Sequence, residues 1–82
     1  MSEEQFKRFP AFRALPVYDE RDERANTITS VVGAGGYSRI RECATVGEVE
    51  ACLADPRFVP LGALRAGVDG SRVVVAYFGE KV

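Results

Sequence analysis

Three groups of residues in this 82-residue chain are of types that do chemistry: a glycine-rich stretch, a set of arginines with a tyrosine, and two cysteines. In Val31-Val32-Gly33-Ala34-Gly35-Gly36-Tyr37 the glycines follow a β-prone run. Loops of that kind let backbone N–H groups approach a pyrophosphate. Gly33, Gly35 and Gly36 are therefore candidates for a small-ligand or nucleotide loop. The pattern is incomplete, because the third glycine of GxGxxG falls on Ser38. The next segment also reads as a strand, so no helix N-terminus faces a phosphate. A plain hairpin loop is the preferred reading.

Tyr37, Arg39 and Arg41 alternate, which puts them on one face of a strand. Arg65 and Arg72 flank a later hairpin and could join them across a sheet. An aromatic with several arginines is the minimum of a nucleic-acid platform, where bases stack and guanidiniums hold phosphates. Charge balance argues against it: 11 Lys+Arg stand against 12 Asp+Glu, for a net charge of −1. A polyanion binder carries a basic excess. A solvated face, with Glu42 and Asp69 nearby, is the plainer reading.

Cys43 and Cys52 are nine positions apart, which is not a CxxC redox motif. Two further Cys or His ligands for zinc do not exist in the chain. With no His anywhere, neither thiol has the usual partner for a thiolate nucleophile. Cys52 is expected to pack as a small hydrophobe, and Cys43, at a strand end, to be more exposed. The alternating charges of Asp19 to Arg24 lack the glycine and spaced ligands of a calcium loop. Glu48 and Glu50 point to different sides of a helix. The expectation is no enzyme, no metal and no cofactor.

These residues must be positioned by a small set of elements. Ser2 with Gln5 matches a capping box that starts a short helix. Phe6, Phe9 and Phe12 recur every three residues with Leu15 in phase. Pro10 stops the first helix and can open a second turn. This Phe-rich arm either packs on the core or offers Phe6, Phe9, Phe12 and Leu15 to a partner. Thr27 to Val32 is β-branched at five of six positions, and Tyr37 to Cys43 could pair back on it. Thr45 and Glu48 form a capping box for a helix whose inner face carries Val49, Cys52 and Leu53. Asp55-Pro56 ends it. Phe58 to Ala66 and Arg72 to Phe78 form a second hairpin around Gly67-Val68-Asp69-Gly70. Pro60 marks an edge or a bulge. Arg72 to Phe78, without polar alternation, should be buried on both faces and central.

The fold class expected is α+β: a four-stranded antiparallel sheet of two hairpins in β-β-α-β-β order, with one main helix. Residues 1–25 are the N-terminal arm and charged loop, and residues 26–82 the compact domain. One helix cannot cover four strands, so the arm or a second subunit must finish the core. A homodimer is expected on that ground.

From Tyr37 onward the chain resembles a class of small uncharacterised bacterial β-α-β-β domains. The matching pieces are Tyr37-Ser38-Arg39-Ile40, the helix from Val46 to Leu53, Pro60-Leu61-Gly62, and Val73 to Phe78. Arg57-Phe58 stands where that class has Gly-Trp. The resemblance spans residues 37–79 and implies an architecture but no functional residues.

No apolar run approaches the roughly 20 residues of a membrane span. Met1 to Pro10 is polar and charged, so no signal peptide is expected. The resulting expectation is a cytoplasmic, non-catalytic protein-interaction or regulatory module, of the kind found as bacterial accessory proteins or phage-encoded inhibitors. Nucleic-acid binding and ligand binding at the Gly loop are the alternatives.

Overall fold

Local capping chemistry sets the first elements. In the computed structural model, which describes residues 1–29, 37–68 and 71–82, Ser2 and Gln5 exchange both capping-box hydrogen bonds. The Gln5 N–H donates to Ser2 Oγ at 3.1 Å, and the Ser2 N–H to Gln5 Oε1 at 2.9 Å. This starts helix α1 (Glu3–Lys7). Pro10 then opens a 3-10 turn, Pro10–Phe12, in which its missing N–H costs nothing. The result is an arm that folds back so that the Phe6 and Phe12 rings stack with centroids 4.4 Å apart.

The chain continues into strand β1 (Val17–Asp19). Asp22 accepts the Arg24 N–H and caps a 3-10 turn, Glu23–Ala25, which runs on into α2 (Asn26–Thr29). The β-prone run expected from Thr27 onward therefore begins as a helix. Three observations account for this. The turn is capped, the Thr27 hydroxyl donates back to the Arg24 carbonyl at 2.6 Å, and Ala25 and Ile28, three apart, are both buried. β-propensity is mostly a statement about packing on a sheet, and here packing favours the helical spacing. Residues 30–36, including the candidate loop glycines Gly33, Gly35 and Gly36, lie outside the described residues.

Strand β2 (Tyr37–Cys43), helix α3 (Val46–Ala54), and strands β3 (Phe58–Val68) and β4 (Ser71–Lys81) complete the fold. Thr45 caps α3 as expected, accepting the Glu48 N–H at 3.2 Å. The Glu48 carboxylate meets the Thr45 hydroxyl, at 3.1 Å, rather than the cap N–H. Asp55, extended before Pro56, ends the helix.

The sheet order is β1-β3-β4-β2. β4 is central, paired antiparallel to β3 on one side and to β2 on the other. The expectation of an all-antiparallel sheet of two hairpins is corrected: the sheet is mixed. β1 comes from the arm and runs parallel to β3, with Val17 opposite Ala63 and Asp19 opposite Arg65. Among the described residues β2 pairs with β4 alone. With β3 on one edge and β2 on the other, the backbone N–H and C=O groups of β4 are paired on both sides.

Of the edge or bulge expected at Pro60, the second is found: β3 is interior to the sheet, and its register shifts between Pro60 and Gly62. Gly62 adopts φ +146°, and an added Cβ there would meet the Pro16 carbonyl oxygen at 2.9 Å and Ile28 Cδ1 at 3.0 Å. The same Pro16 oxygen accepts the Ala63 N–H at 3.0 Å, which docks β1 on β3.

One face of the sheet presents Cys43, Phe58, Ala63, Val74, Ala76 and Phe78 to Val49 and Cys52 of α3 and to Phe6 and Phe12 of the arm. Phe12 meets Phe78 edge-on at 5.7 Å. The arm thus finishes the layer that α3 cannot cover, so a second subunit is not needed for this face. Met1 ties the arm down at its start: its ammonium donates to the Ala44 carbonyl at 2.7 Å, and its own carbonyl accepts the Val74 N–H at 2.6 Å. Cys43 is fully buried, not exposed as expected, because it is the last β2 residue and turns inward opposite Ala76. Among the described residues no helix is long and apolar enough to cross a membrane.

Candidate binding surface

The end of α3 sets up an organised polar geometry on the surface. Because Asp55 precedes proline, its carboxylate is free to turn forward onto Arg57. Oδ1 accepts the Arg57 N–H at 3.0 Å and Nε at 3.1 Å, and Oδ2 accepts Nη2 at 2.7 Å. This clamp holds the Arg57 guanidinium 5.9 Å from the Phe58 ring centroid. The Arg41 guanidinium approaches the same ring, at 5.8 Å. Arg39 pairs with Glu80, which also stands opposite Phe58 in the β3–β4 register. Two guanidiniums therefore approach one buried ring, and the third, that of Arg39, is held nearby by Glu80. Each arginine–ring contact at an exposed site contributes about 0.5–1 kcal/mol.

The Arg57 hydrogen bonds, side chain first and then backbone, hold the Asp55 carboxyl at about 2, below its ordinary 3.8. A depressed carboxyl stabilises the folded chain above its unfolded value and loses that contribution as pH falls through its folded value. Wild-type protein should therefore lose stability between about pH 4 and pH 2 through this clamp. Asp55→Asn should flatten that part of the profile, as read from urea midpoints across the acid range. An unchanged acid limb in the variant would contradict the assignment.

Of the three arginines, Arg39 and Arg41 lie on β2, one of the two outermost strands. Among the described residues no strand pairs with the side of β2 away from β4. A shallow depression of about 380 Å³ runs along it, lined by Arg39, Ile40, Arg41 and Glu42. Comparison of the chain with family models, with curated proteins and with solved structures returns no match. What the surface can do is accordingly read from its chemistry.

Only part of the arginine platform expected from sequence is assembled. Arg39 and Arg41 do share a face. Tyr37 does not join them, because a bulge between Tyr37 and Arg39 shifts the register. The Tyr37 ring lies over Gly79, where an added Cβ would come within 2.7 Å of it. Gly79 and Glu80 face opposite ways on β4, so Tyr37 and Arg39 do as well. Arg65 is taken up by Glu3 of α1. Arg72 stands opposite Gly67, at the far end of β4 from Glu80, about 26 Å away at the usual rise per residue. Arg57 was not anticipated from sequence. Its signal was the Asp-x-Arg spacing after a helix stop, the same spacing that lets Asp22 clamp Arg24.

Of the arm residues, Phe6 and Phe12 are fully buried, while Phe9 and Leu15 pack against the core half-buried. Phe9 also lines a groove of about 470 Å³ between α1 and α3 with Gln5, Arg8, Val46 and Glu50. No group of three or more His, Cys, Asp or Glu among the described residues could hold a metal ion.

Proposed function

We propose that this chain is a small non-catalytic protein-interaction module, and that the outer edge of β2 takes up an extended, acidic segment of a protein partner. The observation that carries this reading is that Arg39 and Arg41 lie on an outermost strand, with Arg57 on the same buried ring as Arg41. An added strand gains main-chain hydrogen bonds from such an edge, and side chains at alternate positions supply selectivity. Arg39 and Arg41, two apart, match carboxylates two apart on an incoming strand.

A second copy is disfavoured at this edge. Symmetric antiparallel pairing centred on Ile40 would set Arg39 of each copy opposite Arg41 of the other, and like charges directly opposite are destabilising. The charges that keep the edge from pairing with itself are those that select an acidic strand. Nucleic acid is also disfavoured. Phe58 is buried beneath its arginines, Tyr37 faces the other way, and the charge balance supplies no attraction for a polyanion.

The test is fluorescence anisotropy with a labelled peptide alternating glutamate and valine, beside a lysine–valine peptide and a single-stranded oligonucleotide. Binding of the acidic peptide alone is expected, weakening as salt rises. Arg41→Glu, at an exposed position, should weaken it roughly tenfold or more. Preference for the oligonucleotide, or no binding of the acidic peptide at low salt, would overturn the reading.

A further inference from the structure

Cys43 closes β2 and Cys52 lies on the inner face of α3, and their sulfurs are 3.4 Å apart in the core. Both are free thiols, with exposures of 0% and 1%. A disulfide requires a sulfur separation of about 2.05 Å, so a small side-chain adjustment joins them. The helix they sit beneath is thinly anchored. Val49 and Cys52 are its only buried residues, and Leu53, expected on the same face, is 38% exposed. Half of the inner face of α3 is therefore one of the two thiols.

We infer that Cys43 and Cys52 are a modification site, an intramolecular dithiol that a low-molecular-weight disulfide oxidises to a bond latching α3 onto β2. The chemistry balances as two exchanges. The Cys52 sulfur, carried on the helix that lifts, attacks one sulfur of the small disulfide. A protein–small-molecule S–S bond forms, and one small thiol leaves with a proton. Cys43 then attacks the Cys52 sulfur of that mixed disulfide. The Cys43–Cys52 bond forms, and the second small thiol leaves with the second proton. The protein is oxidised by two electrons and the small disulfide is reduced to two thiols.

The closed core protects the reduced form. Burial first, and then the hydrogen bond with Cys52, push the Cys43 thiol up to about 12, so it keeps its proton. Oxidation accordingly proceeds from the state in which α3 has lifted. Once made, the bond closes a short loop that contains the α3 N-cap, and it restrains the unfolded chain. None of this depends on what binds at the β2 edge.

The experiment incubates the folded protein with oxidised glutathione, unfolds it in acid and weighs it. The expected product has lost two hydrogens, retains no glutathione, runs as a single chain without reductant, and reverts with dithiothreitol. Because the chain has only two cysteines, that product has one possible connectivity. Its melting midpoint should rise by on the order of 10 °C over the reduced form. Mild urea, which favours the lifted helix, should speed the reaction. Two alkylatable thiols after prolonged incubation, a retained glutathione, a cross-linked dimer, or an unshifted midpoint would each overturn the proposal. Cys43→Ala should stop at the glutathione adduct on Cys52, and a variant that resists modification would also count against the order of attack.

Discussion

Phe12→Ala should cost about 3–5 kcal/mol of folding stability, the range for truncating a buried aromatic. A domain of this length has roughly 4–12 kcal/mol in all. The variant is therefore expected to be partly unfolded at room temperature or to melt far below wild type. The size of the effect follows from what Phe12 touches. It stacks on Phe6, takes Phe9 edge-on at 5.8 Å, and meets Phe78 of the central strand edge-on. Removing it breaks three ring contacts, two of them to fully buried partners, and leaves a cavity between arm and sheet. Urea denaturation followed by circular dichroism measures the loss. Phe9→Ala, at a half-buried ring with one such contact, is the internal control and should cost clearly less. Equal losses for the two would mean that the arm does not complete the core as described.

Gly62→Ala is the second substitution with a large expected effect, and its cause is different. At φ +146° an L-residue is strained, by about 1–3 kcal/mol. The added methyl would also press on the Pro16 carbonyl oxygen at 2.9 Å. That oxygen cannot yield freely, because it accepts the Ala63 N–H that docks β1 on β3. Overpacking of this sort costs about 1–3 kcal/mol more. A total of about 2–6 kcal/mol is expected, with β1 detaching first, visible as early hydrogen exchange at Ala63 before global unfolding. Gly47→Ala has open space around its Cβ and is expected to be neutral or stabilising, since it lies inside α3. A Gly62→Ala variant as stable as wild type would contradict the bulge geometry.

Much of the fold was legible locally. The capping signals at Ser2, Thr45 and Asp55-Pro56 placed α1 and α3, because each satisfies or denies specific backbone groups within four residues. The apolar run from Arg72 to Phe78 identified the central strand, but the expected burial on both faces holds only in part: Val74, Ala76 and Phe78 are buried, while on the other face Tyr77 is covered and Val73 is 47% exposed. Pro60 announced an edge or a bulge through its missing N–H. The phase of Phe6 and Phe12 left open whether the arm packs on the core or meets a partner, and in the structure both rings are buried in the core.

Other features depended on partners distant in the chain. Val17–Asp19 is too short to read as a strand until β3 offers it an edge. Thr27-Ile28-Thr29 has the composition of a strand, yet a capped turn before it and Gly62 beneath Ile28 draw it into a helix. Tyr37 alternates with Arg39 on paper, and one bulge moves its ring to the opposite face.

The composition by itself, with balanced charge and no histidine, already argued against a polyanion site and an imidazole-based active site. What it could not decide was proximity. That Arg57 would reach the ring that Arg41 reaches, and that two cysteines nine positions apart would lie sulfur to sulfur, depends on how α3 is laid across β2 and β3. Local rules choose elements from neighbours along the chain. The arginine corner and the thiol pair are made by packing between elements, and only the tertiary structure sets those distances.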